Sequence, residues 1–189
     1  MKFVELHASS AFSFLRGGSF PEQLAHTAAE LEMPAIALCD RNGVYGAQRF
    51  SVAAREHGVR AIIGAELAME GGEILPVLVE SRSGYRNLCE LLTQAHLRSE
   101  KGKCAIKWEE LPQFAEGLVV FFNASFLNCR ASGSDANDVC RFAETISKFI
   151  HTFGRENLFV EIQRHFVRGE EQGNRQFQQG DNAQQDQDD

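Results

Sequence analysis

His7, Asp40 and Glu66 are the residues of this chain best placed to do chemistry. Each closes a short apolar run: FVEL before His7, AIALC before Asp40, and VRAIIGA before Glu66. Imidazole and carboxylate side chains bind divalent metals such as zinc, manganese and magnesium, and they also serve as acids and bases. One polar residue after an apolar run says little. Three in equivalent places of three successive units form a pattern, because proteins built from β/α units do their chemistry at the carboxyl ends of the strands. The competing reading is structural: each residue caps a loop or pairs with a nearby cation.

The elements that would position these groups are legible in the hydrophobic pattern. Residues 3–7 read as a buried strand, and Ser9, Ser10, Ser13 and Gly17-Gly18 as the loop after it. Ser19 and Glu22 have capping-box spacing, which predicts a helix over 20–32 with Leu24, Ala25, Ala28 and Leu31 on one face. A second strand runs over 35–39, a helix over 44–57, and a third strand over 59–63 with Gly64-Ala65-Glu66 ending it. Gly71-Gly72 reads as a turn before a fourth strand at 74–79, and Ser83 as the cap of the next helix. Residues 118–122 read as a fifth strand. Val139, Phe142, Ala143, Ile146, Phe149, Ile150 and Phe153 give the best-patterned helix, opened by Asp135, and residues 158–162 read as a sixth strand. Strand and helix alternate throughout, which predicts an α/β barrel or a doubly wound sheet.

Composition narrows the function classes. The chain has 189 residues, 43% hydrophobic and 24% charged, enough for one domain with a sizeable core. The formal net charge is −7, but residues 170–189 carry six acidic side chains and one arginine, so the body before them is near neutral. That balance argues against broad electrostatic capture of nucleic acid. Arg98, Lys101, Lys103 and Lys107 form a local basic run that is either a phosphate-contacting surface or a solvated loop. The five cysteines lack C-x-x-C spacing and are expected to be free thiols in a reducing cytoplasm. No leader peptide or membrane span is legible in the sequence.

ELHASSAFSFLRGGS, ALCDRNGVYGAQRF, IIGAEL, SRSGYRNLCELL and FVEIQRHFVRGEE together resemble the ordered motifs of the PHP (polymerase and histidinol phosphatase) domain. The closest resemblance is to the N-terminal PHP domain of bacterial DNA polymerase III alpha subunits of the error-prone type. The resemblance implies a distorted, TIM-like β/α barrel with up to three metal ions at its mouth. On this chain it implies an incomplete barrel of about six β/α units over residues 1–169. Residues 170–189 are then the start of a helix followed by a disordered, Gln/Asp-rich acidic tail.

Carried over residue by residue, the family's ligand set is damaged. His7 matches the first histidine of an H-x-H motif, but Ser9 stands where the second belongs. Arg16 holds the aspartate position ahead of Gly17, and Arg41 replaces the histidine after Asp40. Asp40 and Glu66 are kept. No histidine is found around Ile74 and Leu75, Asn123-Ala124 lies where a glycine-cysteine pair is common, and the last D-x-H motif is missing. A serine hydroxyl is a poor ligand for zinc or manganese. At ~4 Å and an effective dielectric of ~20, one unit-charge pair is worth about 4 kcal/mol, and Arg41 would repel a divalent ion about twice as strongly. Arg41 is expected to swing away or to pair with Asp40. At most one weakly bound divalent ion is expected, at His7, Asp40 and Glu66 with His165 nearby, and no other cofactor.

The resemblance implies a non-catalytic scaffold in replication or repair synthesis, truncated from a longer chain. The implied partner is the polymerase core, with DNA reached only through it and no membrane contact. Nucleotidyl transfer by this chain alone is not expected. Two alternatives remain: a metal-dependent phosphoesterase or 3′–5′ exonuclease, and a freestanding interaction module using the basic run.

Overall fold

The computed structural model describes residues 3–123, Phe126 and residues 136–162, with backbone alone for 136–142. Its strands are β1 (Glu5–Ala8), β2 (Ala35–Arg41), β3 (Arg60–Ala68), β4 (Ile74–Val79), β5 (Leu118–Phe122) and β6 (Leu158–Val160). They form one sheet in sequence order. The helices are α1 (Pro21–Glu30), α2 (Ala47–Glu56), α3 (Arg82–Arg98), the short α4 (Leu111–Phe114) and α5 (Ala136–Phe153).

Among the described residues, strand–helix alternation fails at one point. β3 and β4 are joined by a hairpin through Gly71-Gly72, and β4 runs antiparallel to both β3 and β5, while the pairs β1–β2, β2–β3 and β5–β6 are parallel. A hairpin needs only a few residues, whereas a parallel return needs a crossover of a dozen or more. β4 therefore brings its first residue, not its last, to the end of the sheet where β1, β2, β3, β5 and β6 finish. Glu66 also departs from its expected place. β3 continues to Ala68, so Glu66 lies within the strand.

The sheet has two faces, set by the two-residue period of the strands. Ile36 and Leu38 of β2 pack with Ala25 and Ala28 of α1 and Phe50, Ala53 and Ala54 of α2. Ala65 and Leu67 of β3, Leu75 and Val77 of β4, and Leu118, Val120 and Phe122 of β5 pack with Leu88, Leu91 and Ala95 of α3 and Phe149 and Phe153 of α5. These residues make the outer face, under the helices. The alternate residues Ala37, Cys39, Leu78 and Phe121 form a separate inner cluster. Trp108 joins the outer layer, with its ring edge-on to Phe149 at 4.9 Å.

Local chemistry shifts two helix starts. At α1 the cap is Phe20, whose N–H donates to Gln23 Oε1 at 2.8 Å, with Pro21 opening the helix. At α3 the cap is Ser81, not Ser83, because Ser81 Oγ accepts from Gly84 N at 3.1 Å. Asp135, the expected cap of α5, and the tail at 170–189 lie outside the described residues.

The inner face is tight at Gly64. A Cβ there would stand 2.3 Å from the Val77 carbonyl oxygen and 2.7 Å from Cys39 Sγ. Backbone and buried sulfur have no room to yield. Gly64→Ala is expected to lower stability by about 1–3 kcal/mol, read as a lower urea midpoint with an unchanged slope.

Candidate functional site

The charged site forms where the inner faces of the strands meet. In the parallel register of β2 and β3, Arg41 is the partner of Glu66. Both side chains point inward, and Arg41 Nη1 lies 3.2 Å from Glu66 Oε2. Arg16, carried by the loop after β1, places its Nη1 3.8 Å from the same oxygen. A register shift between Glu5 and Ala8 sets the end of β1, where Ala8 packs outward and His7 turns inward. His7 Nε2 then lies 3.0 Å from Glu66 Oε1, and His7 Nδ1 lies 2.5 Å from Glu161 Oε1.

Glu161 is the functional residue that sequence reasoning missed. It directly follows β6, and its N–H donates to the Phe122 carbonyl at 2.8 Å. Its parity gives it away: Phe159 pairs with inward Phe121, so Glu161 also faces inward. Asn123, two residues after Phe121, brings its Nδ2 3.4 Å from Glu161 Oε2 and 3.3 Å from the Ile74 carbonyl at the start of β4.

Asp40 is not brought to this cluster. It follows Leu38 on the outer parity, and only 1% of its surface is exposed. Ser10 N donates to its Oδ1 at 2.8 Å, Ser10 Oγ to both oxygens at 3.0 and 2.8 Å, and Ser13 Oγ to Oδ1 at 2.7 Å. Ser13 Oγ in turn accepts from Arg41 N at 2.9 Å. The carboxylate thus shapes the loop that carries Arg16. Of the two expectations for Arg41, swinging away or pairing with Asp40, the pair does not form; register gives Arg41 to Glu66. Ser9 turns to the backbone, donating to the Cys39 carbonyl at 3.1 Å. His165 lies outside the described residues.

The proton inventory follows from these contacts. Burial alone would lower the pKa of His7, but hydrogen bonds and charge from Glu161 and Glu66 outweigh it and raise the pKa to about 9. His7 is an imidazolium at neutral pH, donating from both nitrogens. Burial would raise the Glu66 pKa, yet the hydrogen bonds and charges of His7 and then Arg41 hold it below its ordinary value. Cys39 is driven well above the normal thiol range by burial, then by Glu66, Glu161, Asp40 and Glu5. It remains a thiol, neither ligand nor nucleophile.

Three of the four residues of the basic run have acidic partners. Arg98 is paired with Glu110, with one contact of 2.7 Å from Nη2, Lys103 with Glu100 at 2.8 Å, and Lys107 with Glu70 at 3.6 Å. Lys101 is exposed.

Among the described residues, the donor set as it stands does not fit a metal ion. A coordinated imidazole must offer a lone pair, and both His7 nitrogens face carboxylates. A cation on Glu66 Oε2 at the ~2.1 Å of a metal–carboxylate bond would lie within about 5.3 Å of Arg41 Nη1. At an effective dielectric of ~20, a divalent ion there meets roughly 6 kcal/mol of repulsion. Among the described residues, no group of three or more His, Cys, Asp or Glu side chains is arranged to hold a metal.

A curled sheet of six strands with helices on its outer face, and polar side chains gathered at one end inside, defines the class. The chain belongs to the PHP family: the model of the PHP domain matches residues 5–165. Its relatives include error-prone DNA polymerases. That of Corynebacterium efficiens is 46% identical over 161 residues, covering 85% of this chain and 14% of the relative. That of Corynebacterium jeikeium is 36% identical, with coverage of 85% and 13%, and that of Anaeromyxobacter sp. is 35% identical, with 90% and 15%. The chain thus spans about one seventh of the length of these relatives. A Bifidobacterium adolescentis structure, provisionally assigned as a metal-dependent phosphoesterase, superposes with a TM-score of 0.50 at 13% identity, covering 83% of this chain and 85% of that one. This likeness shows the fold. Among the described residues no helix is long and apolar enough to cross a membrane.

Two predictions follow from the geometry. The folded-state pKa of His7 lies above its unfolded value, so its stabilisation is full below pH ~6.5 and is lost as pH rises through about 9. That loss should amount to roughly 3 kcal/mol between pH 6 and 10. It is read as the difference in denaturant stability between the native chain and His7→Gln at each pH. Asp40→Ala leaves buried serine hydroxyls without their acceptor and should cost about 2–4 kcal/mol, measured by the same unfolding titration.

Proposed function

We propose that this chain is the N-terminal PHP module of an error-prone DNA polymerase III alpha-like protein, and that it acts there as a scaffold without hydrolytic activity. The observation that carries this reading is the Arg41–Glu66 pair on the inner face at the carboxyl end of β2. Metal-dependent hydrolysis uses cations to polarise a phosphoryl oxygen and to generate hydroxide. At this mouth the carboxylate is already neutralised by the chain's own guanidinium. At most one divalent ion would be held, and weakly.

The kinship with error-prone polymerases supports one partner above others. The remainder of such a polymerase is the natural neighbour of a domain that makes up one seventh of its length, and DNA is met only through it. The basic run gives little support to a freestanding interaction module, because glutamates occupy Arg98, Lys103 and Lys107.

The test has two arms. With manganese or zinc present, the purified chain should release no phosphate from p-nitrophenyl phosphate and should not shorten single-stranded DNA from its 3′ end. Turnover abolished by EDTA would establish the phosphoesterase or exonuclease reading instead. In the second arm, the chain should co-elute with the Corynebacterium efficiens error-prone polymerase from which the matching segment has been removed. Failure to co-elute would remove the scaffold role.

A further inference from the structure

The mouth of this sheet already holds a cation at its centre. Arg41 stands on β2, in register with Glu66 on β3, so the backbone itself aims the guanidinium at the carboxylate. The pair is 3.2 Å apart, with the Arg41 side chain 24% exposed and that of Glu66 12%. Arg16 reaches the same oxygen, but from a loop, at 3.8 Å and 53% exposed. The other Glu66 oxygen is taken by His7, which also reaches across to Glu161. β1 and β6 are the two ends of the strand order, so the His7 contact joins the open edges of the sheet.

We propose that Arg41 is a built-in counter-cation that keeps divalent metal out of the mouth. The His7–Glu66–Glu161 link then fastens the two sheet edges without any metal. This proposal rests on the scaffold reading above and says how that scaffold holds its shape. Arg41 is the controlling residue because it is strand-borne and in register, whereas Arg16 depends on the loop that Asp40 organises. Removing the charge at position 41 leaves Glu66 only His7, which it shares with Glu161, and the loop-borne, half-exposed Arg16 at 3.8 Å, so one oxygen of the carboxylate opens to another cation.

The native chain, Arg41→Ala, Arg41→Lys and the double variant Arg41→Ala/Glu66→Gln are compared, with zinc chloride alone as the probe. Zinc uptake is read by calorimetry and by elemental analysis after dialysis, and stability by melting with and without EDTA. The native chain should retain no stoichiometric zinc, and its melting should respond to neither zinc nor EDTA. Arg41→Ala should take up one zinc per chain on the order of 100-fold more tightly than the native chain, with a higher melting temperature in zinc. Arg41→Lys keeps the charge and should behave as the native chain. The double variant should lose the gain, which separates this site from adventitious surface binding.

Equal zinc affinity in the native chain and Arg41→Ala overturns the proposal, as does a folded Arg41→Ala that gains nothing. Should Arg41→Ala unfold in the absence of metal, Arg41→Gln replaces it. Refolding of either variant by zinc supports the proposal, and failure of zinc to rescue both overturns it. A native chain that is zinc-loaded yet inert defeats the counter-cation and spares the scaffold. A metal-free native chain that ignores the polymerase remainder does the reverse.

Discussion

Charges placed inside a curled sheet must neutralise one another, and that constraint governs this molecule. His7, Arg41, Glu66 and Glu161 all project from the inner face into a region walled by Cys39, Leu78 and Phe121. Removing an ion from water costs several kcal/mol even after the protein relaxes. Each of these groups meets an opposite charge within 2.5 to 3.2 Å, so the cost is offset in pairs. The arrangement is strong as a set and poor in parts, since deleting one member leaves a buried charge unpaired. It also performs a mechanical task. β1 and β6 do not hydrogen-bond to each other, and the imidazolium bridging Glu66 and Glu161 ties the ends of the sheet where backbone pairing does not.

Asp40 solves a different problem, on the other side of the same strand. The loop after β1 must turn sharply to begin α1, and its serines carry donors that burial would leave unpaired. Ser10 is fully buried and Ser13 nearly so, and both hydroxyls donate to Asp40. Gly17 completes the turn, because a Cβ there would stand 2.1 Å from the Ser10 carbonyl oxygen. One carboxylate thus fixes the path of the loop and, with it, the position of Arg16 beside Glu66. Asp40 and Arg41 are adjacent in sequence yet serve opposite faces of the sheet, and neither task depends on the other's side chain.

Most of the fold was legible, and so was part of the site, for reasons that differ residue by residue. β4 and β5 lie where apolar runs predicted them, since a strand buried on both faces leaves a run bounded by polar residues. The antiparallel course of β4 was not read, although the short Gly71-Gly72 link carried the signal. His7 and Glu66 were singled out by their place after apolar runs, and they are in contact. The same criterion chose Asp40, because place alone does not say which way a side chain points. Parity does: counting in twos from Leu38 sends Asp40 under the helices, and counting in twos from Phe121 through its partner Phe159 sends Glu161 inward. The basic run was open to two readings in sequence. Glu100 lies within the run and is visible to a window of local charge, but Glu110 is 12 residues from Arg98 and Glu70 lies across the chain from Lys107, so most of the neutralisation is not.

Parity also explains how a barrel of this kind can change its chemistry without changing its shape. The outer face makes nearly all of the helix contacts, so the inner residues at the mouth are free of helix packing and answer chiefly to one another. A substitution among the charged residues at the mouth is therefore tested by charge balance, whereas one deeper on the same face, as at Gly64, is still tested by volume. A histidine-to-arginine exchange at position 41 would carry a fixed positive charge to a place where a ligand would otherwise await one. The carboxylate opposite needs one cation and has no requirement that it be a metal. With the guanidinium in register, Glu66 already has a counter-charge supplied by the chain itself. The retained architecture and the chemistry at its mouth are thus separable quantities, and kinship with enzymes fixes only the first.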